Sequence, residues 1–353
     1  MPSGKSILWH AGLLVAGASL ASGLLEKPKV QGVPQYVMDY APLCYLHHQE
    51  LYFPSDLQKH LDNTTPKDDN FNKIDGAPSP LSLTNLNKLN DYGDGGKNVW
   101  LTANDDITKD PEWIKGAAPD CDGKASDAIA VAVIMVDKGD DNMDVFFQYF
   151  YSYNWGGVVL KAFNAGNHVG DWEQNMIRFE KGKPTYVWYS QHGNGQAFAY
   201  DILEKDKDGQ RFINYVANGS HANYAVSGSH DHTIPELNLG KGILMDYTDG
   251  PKDGAKLWDP LQNAYFYTFS NSTGKPTFTS AEPGKYPTEY LDYLGKWGDK
   301  QYPKSDKRQQ EILGGISYKF VGGPTGPIDK QLVRKDVCPD NGNPCILRHI
   351  IGP

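Results

Sequence analysis

The sequence predicts an all-β protein, an antiparallel β-sandwich or jelly-roll-like core with a few short helices and long loops. Its 353 residues include 37 glycines and 23 prolines, and 12% are aromatic, a composition more typical of a β-rich domain than of a helical bundle. Apolar runs of strand length, separated by turn residues, recur along the chain, whereas helix signals are few.

Two hairpins are predicted in the middle of the chain, each with polar turn residues between two apolar runs. The first turns at 137–142 and the second at 180–183. The predicted strands are 128–136, 143–153, 172–179, 185–191, 212–217 and 265–269.

The remaining segments fit one domain that spans 22–353. Pro54 is followed by Ser55 and, three residues later, by Gln58, a capping box that predicts a short helix to about Leu61. A polar, turn-rich surface excursion is expected at about 62–98. An irregular aromatic arm is expected at about 283–330.

The first 21 residues are predicted to be a secretory signal peptide. Lys5 precedes a mostly apolar run, and small residues at 19–21 suit cleavage before Ser22. The mature protein is therefore expected to be secreted or vacuolar, with no transmembrane segment.

The charge balance argues against a nucleic-acid partner. The formal net charge is −9, and loss of Lys5 with the signal would make it −10. No basic stripe offers contacts to a phosphate backbone, so nucleic-acid binding is not expected.

Four cysteines in an exported chain predict two disulfides. Cys338 and Cys345 bracket a turn-rich loop that brings its ends together, which leaves Cys44 to pair with Cys121. Sequons at Asn63, Asn218 and Asn271 also predict a glycoprotein of the secretory route.

The richest candidate site lies in residues 166–179, where His168, Asp171 and Glu173 fall within six positions. Residues two apart on a strand point to the same face, so the two carboxylates should share a face below the histidine. An oxygen-rich pocket with one imidazole suits Ca²⁺, Mg²⁺ or Mn²⁺. The alternative is a buried network in which an imidazolium satisfies both carboxylates.

Two more histidines, His192 and His221, follow predicted strand ends in glycine-flanked turns and could line the same pocket. If the protein is an enzyme, Glu173 would activate water, with His192 or His221 as general acid or base. The alternative is that each ring caps a turn by bonding a backbone carbonyl.

Three other features offer weaker signals. The run 229–232, with two histidines and an aspartate, is expected to be a solvated loop, and the pair His47 and His48 to be half-buried structure. The aromatic strand 146–155 could present rings to a sugar, although core packing explains many of them equally well.

Several ordered motifs together resemble the fungal vacuolar protein sorting-associated protein 62 family. The motifs are Tyr40–Leu43, Pro54–Asp56, His168–Glu173, Ala217–Ala222, Trp258–Pro260 and Gly322–Pro327. The resemblance covers most of the mature chain and implies passage through the secretory route and a part in vacuolar protein targeting. It implies no established reaction.

The run His-x-x-Asp-Trp-Glu at 168–173 is also distantly similar to the necrosis- and ethylene-inducing peptide family of secreted cytolysins. The resemblance to that family implies a β-sandwich fold. It also implies a divalent cation that is bound by His168, Asp171 and Glu173 and that recognises sphingolipid sugar head groups. This chain has Gly170 where those proteins carry a second histidine. It also lacks their upstream aspartate, a role that Asn154 or Asn164 could fill.

Two functions follow from these residues. The first is a module in which a divalent cation bridges the pocket to a glycan or lipid head group. The second is a metal-dependent hydrolase of a glycan or phosphoester. A third, non-catalytic possibility is a sorting or structural factor with a vestigial pocket.

Overall fold

The computed structural model describes residues 29–159, 163–231, 242, 244–315 and 317–351. The predicted signal peptide and its cleavage site lie outside these residues. Two short α-helices occur in the described ranges, α1 (Gln35–Asp39) and α2 (Leu57–Asp62).

The strands are β1 (Leu43–Leu46), β2 (Thr64–Lys67), β3 (Trp100–Ala103), β4 (Val131–Gly139), β5 (Asn142–Asn154), β6 (Val158–Val159), β7 (Phe163–Asn164), β8 (His168–Glu180), β9 (Lys183–Gln191), β10 (Asn194–Ala199), β11 (Ile213–Val216), β12 (Asn223–Tyr224), β13 (Gly228–Asp231), β14 (Met245–Thr248), β15 (Lys256–Trp258), β16 (Ala264–Ser270), β17 (Thr277–Ser280), β18 (Glu311–Ile312), β19 (Ser317–Tyr318) and β20 (Leu347–Arg348).

An eight-stranded sheet forms the framework, with the order β17-β16-β4-β5-β8-β9-β10-β20. Its central strands, β5 and β8, pair antiparallel and are almost entirely buried. This register sets Asp171 opposite Tyr151 and Glu173 opposite Tyr149, so the candidate carboxylates lie at the middle of the sheet.

A four-stranded sheet, ordered β12-β11-β1-β15, packs against the large one. Tyr149 meets Trp258 edge-on at 5.3 Å between ring centroids, and the Tyr189 hydroxyl donates a 3.1 Å hydrogen bond to the carbonyl of Ile213. Rings from both sheets therefore fill one core, as in a sandwich.

The all-β prediction is confirmed, and both predicted hairpins are present as β4–β5 and β8–β9. Three strand pairs are parallel rather than antiparallel, namely β1 with β11, β4 with β16 and β10 with β20. The strand predicted over 172–179 begins earlier, because His168 is the first residue of β8.

The helix predicted after Pro54 exists, but Ser55 is not its cap. The Asp56 carboxylate accepts a 2.8 Å hydrogen bond from the Lys59 amide, so Asp56 is the N-cap of α2. The Ser55 hydroxyl instead accepts a 3.0 Å hydrogen bond from the Ser152 amide and joins the helix start to β5.

The predicted surface excursion at about 62–98 and the predicted aromatic arm at about 283–330 both contribute side chains to the core. Within 62–98, four leucines are buried: Leu81, Leu83, Leu86 and Leu89. The prediction of a polar surface excursion missed them because the apolar residues are spaced among turn residues. In the aromatic arm, Tyr290, Tyr293 and Trp297 have no exposed surface.

One of the two predicted disulfides forms. Cys338 and Cys345 are bonded, whereas Cys44 and Cys121 are free thiols, so their predicted pairing is wrong. Cys44 is buried in β1, where its sulfur accepts a 3.3 Å hydrogen bond from Asn214, while Cys121 lies in an exposed turn. Pairing by elimination took no account of this difference in depth.

No helix among the described residues has the length and apolar character that crossing a membrane requires.

Candidate functional site

A cavity of about 330 Å³ opens beside β8. Its ionisable lining residues are His168, Asp171, Glu173, His192 and Lys330. Its other lining residues are Asn154, Gly156, Ala165, Gly166, Trp172, Leu244, Ser317, Val321 and Pro324. The structure thus brings the predicted metal trio and His192 to one half-open cavity.

Gly170 shapes the strand at this point. Its φ is +68°, and a Cβ there would lie 2.2 Å from the Trp297 carbonyl oxygen. Only glycine fits both constraints. The pairing with β5 skips Ser152 opposite Gly170 and resumes at Asp171, which, like Glu173, faces the cavity.

His221 lies behind Asp171 and does not line the cavity. Its Nδ1 is 2.9 Å from Asp171 Oδ2, and its Nε2 is 2.9 Å from the Tyr52 carbonyl oxygen. The ring has no exposed surface and stacks on Tyr151, with 3.7 Å between centroids and 2° between planes. His221 therefore orients a cavity carboxylate, and the expectation that it lines the pocket is wrong.

The environment of His221 and Asp171 favours the charged form of both side chains. Burial alone would lower the pKa of His221, but its hydrogen bond to Asp171 and the negative charge of Glu50, whose Oε1 lies 3.8 Å from Nε2, raise it to about 10. Burial alone would raise the pKa of Asp171, but the hydrogen bond from His221 brings it below its usual range. The alternative to metal binding was a network in which one imidazolium satisfies both Asp171 and Glu173, whereas here His221 pairs with Asp171 and Glu173 bonds Ser190.

Glu173 is differently placed. Its Oε2 accepts a short hydrogen bond from the Ser190 hydroxyl, and its side chain is buried. Burial and then the charge of Asp171 raise the pKa of Glu173 to about 7. Two carboxylates of unequal acidity therefore face one cavity.

His192 reaches the cavity from the end of β9. Its Nε2 lies 2.9 Å from Asp246 Oδ2, and Asp246 also accepts 2.7 Å hydrogen bonds from Ser220 and Tyr224. Burial lowers the pKa of His192, but Asp246 outweighs it and raises the pKa to about 9. His192 is therefore a cation at neutral pH.

His168 has the opposite character. Its Nδ1 lies 2.7 Å from the Gly170 carbonyl oxygen, which can only accept, so Nδ1 carries the proton. Burial lowers the pKa of His168, which keeps the ring neutral and leaves Nε2 with its lone pair. This is the form in which a histidine binds a metal ion, with its other nitrogen fixed by a backbone carbonyl.

The ligand atoms of His168, Asp171 and Glu173 do not all lie within 4.8 Å of one another. In the described part of the chain, one group of three His, Cys, Asp or Glu residues places its ligand atoms within 4.8 Å of one another, and it is His47, His48 and Asp249. The Gln49 amide donates to His47 Nδ1 at 3.1 Å, so His47 Nε2 carries the proton that Asp249 accepts. Hydrogen bonds already account for this second group.

Other sequence candidates fall elsewhere. The rings of the aromatic strand from Phe146 to Tyr153 are buried at 0–6% exposure, so they form core and no sugar platform. Residues 229–231 lie in β13, and His232 is outside the described residues. Asn154 lines the cavity and Asn164 does not.

Sequence reasoning missed the far wall of the cavity. Leu244, Val321 and Lys330 lie far from β8 in sequence, and no local motif marks them. The Lys330 ammonium donates a 2.6 Å hydrogen bond to the Trp172 carbonyl, between the two carboxylate residues. A lysine in an irregular C-terminal stretch gives no signal of such a role.

The fold and the site together define a β-sandwich protein with a cavity lined by carboxylates and imidazoles. The family profile described as vacuolar protein sorting-associated protein 62 matches residues 16–254. The chain belongs to this family, and the resemblance seen in its motifs is confirmed.

Two yeast relatives agree with this assignment. The putative vacuolar protein sorting-associated protein TDA6 of Saccharomyces cerevisiae is 36% identical over 333 residues, covering 87% of this chain and 68% of the relative. Vacuolar protein sorting-associated protein 62 of the same yeast is 36% identical over 331 residues, with the same coverage.

Solved structures show only a remote likeness. Necrosis and Ethylene inducing Protein 2 from the agent of cocoa's Witches Broom disease has 11% identity and a TM-score of 0.27, covering 56% of this chain and 71% of that one. NLPPya in complex with mannosamine has 10% identity and a TM-score of 0.29, covering 68% and 76%. Likeness at this level transfers no function.

Proposed function

We propose that this protein binds a divalent cation through His168, Asp171 and Glu173, and that the ion holds a glycan or lipid head group during vacuolar protein sorting. The observation that carries the proposal is the fixed tautomer of His168. Its Nδ1 proton is held by Gly170, so Nε2 is available as a ligand in a cavity that also contains two carboxylates.

The ligand set selects the class of ion. Two carboxylates and one imidazole supply mostly hard oxygen donors, which suit Ca²⁺, Mg²⁺ or Mn²⁺ better than a thiolate-preferring ion. The ligand atoms do not meet within 4.8 Å, so side-chain rotation accompanies binding, and a volume of about 330 Å³ leaves room for it.

The cavity walls favour recognition through the ion. The aromatic side chain of Trp172, among the described lining residues, is buried, so it offers little surface for stacking. Hydroxyl or phosphoryl oxygens of a head group can replace water on a bound cation, while Lys330 offers an ammonium group nearby.

Titration calorimetry and elemental analysis test the proposal. The protein should bind about one Ca²⁺, Mg²⁺ or Mn²⁺ per chain and melt at a higher temperature with it, because binding to the folded state alone stabilises it. Glu173→Gln should weaken metal and head-group affinity together, with excess metal partly restoring the latter. Glu180→Gln, at the exposed end of the same strand, is the matched control. Absence of metal and of any thermal shift would rule the proposal out.

A second candidate is a metal-dependent hydrolase, favoured by one observation. His192, paired with Asp246, and Glu173 line the same cavity, as a general acid and base would. In that case Glu173→Gln should retain ligand affinity while turnover of a glycan or phosphoester falls by roughly a hundredfold. A loss of affinity without any measurable turnover in the unaltered protein would favour the binding function.

Export through the secretory route completes the proposal. It is supported by the charged and apolar pattern of residues 1–21 and by Asn271, which is exposed in the turn after β16. Mass spectrometry of protein from its native host should find an N-terminus near Ser22 and a glycan on Asn271. An intact Met1 and an unmodified Asn271 would contradict export.

A further inference from the structure

A second polar cleft lies at a distance in sequence from β8 and is unused by the proposed function. Its volume is about 580 Å³, in the range of small-molecule sites. It lies between the paired strands β2 and β3 and the segment 299–308, and its lining residues include Phe71, Asn104, Asp299 and Arg308.

The most informative lining residue is Phe71, whose ring is 36% exposed. Hydrogen bonds hold the turn that carries it, because the Asp68 carboxylate accepts from the amides of Asn70 and Asn72 at 2.8 Å. Asp69 anchors the same turn by accepting from Lys300 at 2.9 Å and from Trp100 at 3.0 Å. The apolar ring is therefore held at the edge of a polar cleft instead of folding into the core.

The floor of the cleft is equally fixed. Asp299 is 5% exposed and accepts a 2.7 Å hydrogen bond from the Ala103 amide and a short one from the Tyr302 hydroxyl. The Arg308 guanidinium lies 3.8 Å above the Tyr302 ring and is bonded to Asp306 through Nε and Nη2. A rigid floor limits the entropy lost when a ligand is held.

Two donors at the cleft have capacity to spare. Within the described residues, Arg308 Nη1 and Asn104 Nδ2 donate no hydrogen bond, whereas Asn104 Oδ1 accepts from the Thr65 hydroxyl at 2.7 Å. Four aspartates and three basic residues line the cleft, so the charges nearly balance. Neither a strong anion nor a strong cation is selected, but a neutral ligand rich in hydroxyl groups finds both donors and acceptors.

We infer that this cleft is a second binding site, for a neutral oligosaccharide whose ring packs on Phe71 while its hydroxyl groups bond Asn104, Arg308 and the aspartates. An aromatic face beside fixed polar groups is the combination that a sugar ring requires, since it has apolar C–H faces and a polar edge. The inference is independent of the cation proposed beside β8.

Saturation-transfer NMR and titration calorimetry test the inference with trisaccharides of mannose, glucose and N-acetylglucosamine as probes. At least one should bind at millimolar concentration without added metal. Phe71→Ala should weaken that binding about tenfold, and Phe71→Tyr should retain it within about twofold. Circular dichroism establishes that each variant is folded.

A control variant locates the binding. Phe163→Ala removes an aromatic ring of similar exposure elsewhere, so it should leave trisaccharide affinity unchanged. Failure of all three probes to bind would overturn the inference. Binding that survives Phe71→Ala, or that falls as much with Phe163→Ala, would also overturn it.

Discussion

At the scale of single residues, two fully buried histidines show how hydrogen-bond partners decide charge. His221 sits between a carboxylate and a carbonyl oxygen, and its pKa is raised to about 10. His60 bonds the Trp297 carbonyl at 2.9 Å and the Ser152 hydroxyl at 3.2 Å, with no carboxylate partner. Burial lowers the pKa of His60 to about 4.

His60 should make the protein less stable in mild acid. A histidine in the unfolded chain has a pKa near 6.5, so as the pH falls the unfolded state takes up the proton first. The contribution of His60 to the free energy of unfolding is therefore complete above about pH 6.5. It declines by roughly 3 kcal/mol in total as the pH falls to about 4.

Urea unfolding between pH 7.5 and pH 4 measures this effect. His60→Gln should be less stable at pH 7.5 but should lose less stability with acid than the unaltered protein. Equal slopes of unfolding free energy against pH in the two proteins would show that another group is responsible.

At the scale of elements, β8 contains a glycine, Gly170, next to the candidate site residue Asp171. Gly170→Ala should destabilise the protein by about 3 kcal/mol or more. An alanine at this position would have an unfavourable positive φ, and its Cβ would clash with the Trp297 carbonyl. Thermal or urea unfolding measures the loss, and metal binding should be weakened with it.

Gly139→Ala separates the effect of a positive φ from the effect of a clash with the Trp297 carbonyl. Gly139 also has a positive φ, +78°, but a Cβ there would meet nothing within 4 Å. Its substitution should cost only about 1 kcal/mol. Equal losses in the two variants would show that the contact with Trp297 contributes nothing.

The same elements show what sequence can supply. The hairpins β4–β5 and β8–β9 were predictable because apolar alternation and turn residues are local signals. The pairing of Leu43 with Ile213 was not, because a parallel pair between distant segments leaves no local pattern. The shared face of Asp171 and Glu173 follows from the period of a strand, whereas the place of His221 behind Asp171 depends on that distant pairing.

At the scale of the whole molecule, the two free cysteines differ in their distance from the surface. Burial raises the pKa of Cys44 to about 12, whereas Cys121 is exposed. Thiol titration should therefore find one reactive group in the folded protein, two after denaturation without reductant and four after reduction. Absence of any free thiol in the denatured, unreduced protein would restore the Cys44–Cys121 pairing.

The cavity itself was only partly predictable at this scale. His168, Asp171, Glu173 and His192 come from adjoining strands, and short motifs mark them. The wall that encloses them comes from distant loops, where Leu244 and Val321 are ordinary apolar residues without any distinguishing neighbours. The composition of this wall therefore depends on the folded chain and not on a local motif.

The hydrogen bond from Lys330 to Trp172 spans 158 residues of sequence. Arg178 on β8 holds the segment beyond it, donating 3.2 Å hydrogen bonds to the carbonyls of Lys335 and Asp336 while bonded to Asp144. Because Lys330 is part of the cavity lining, that lining is complete only after this late segment has been synthesised and has packed onto β8.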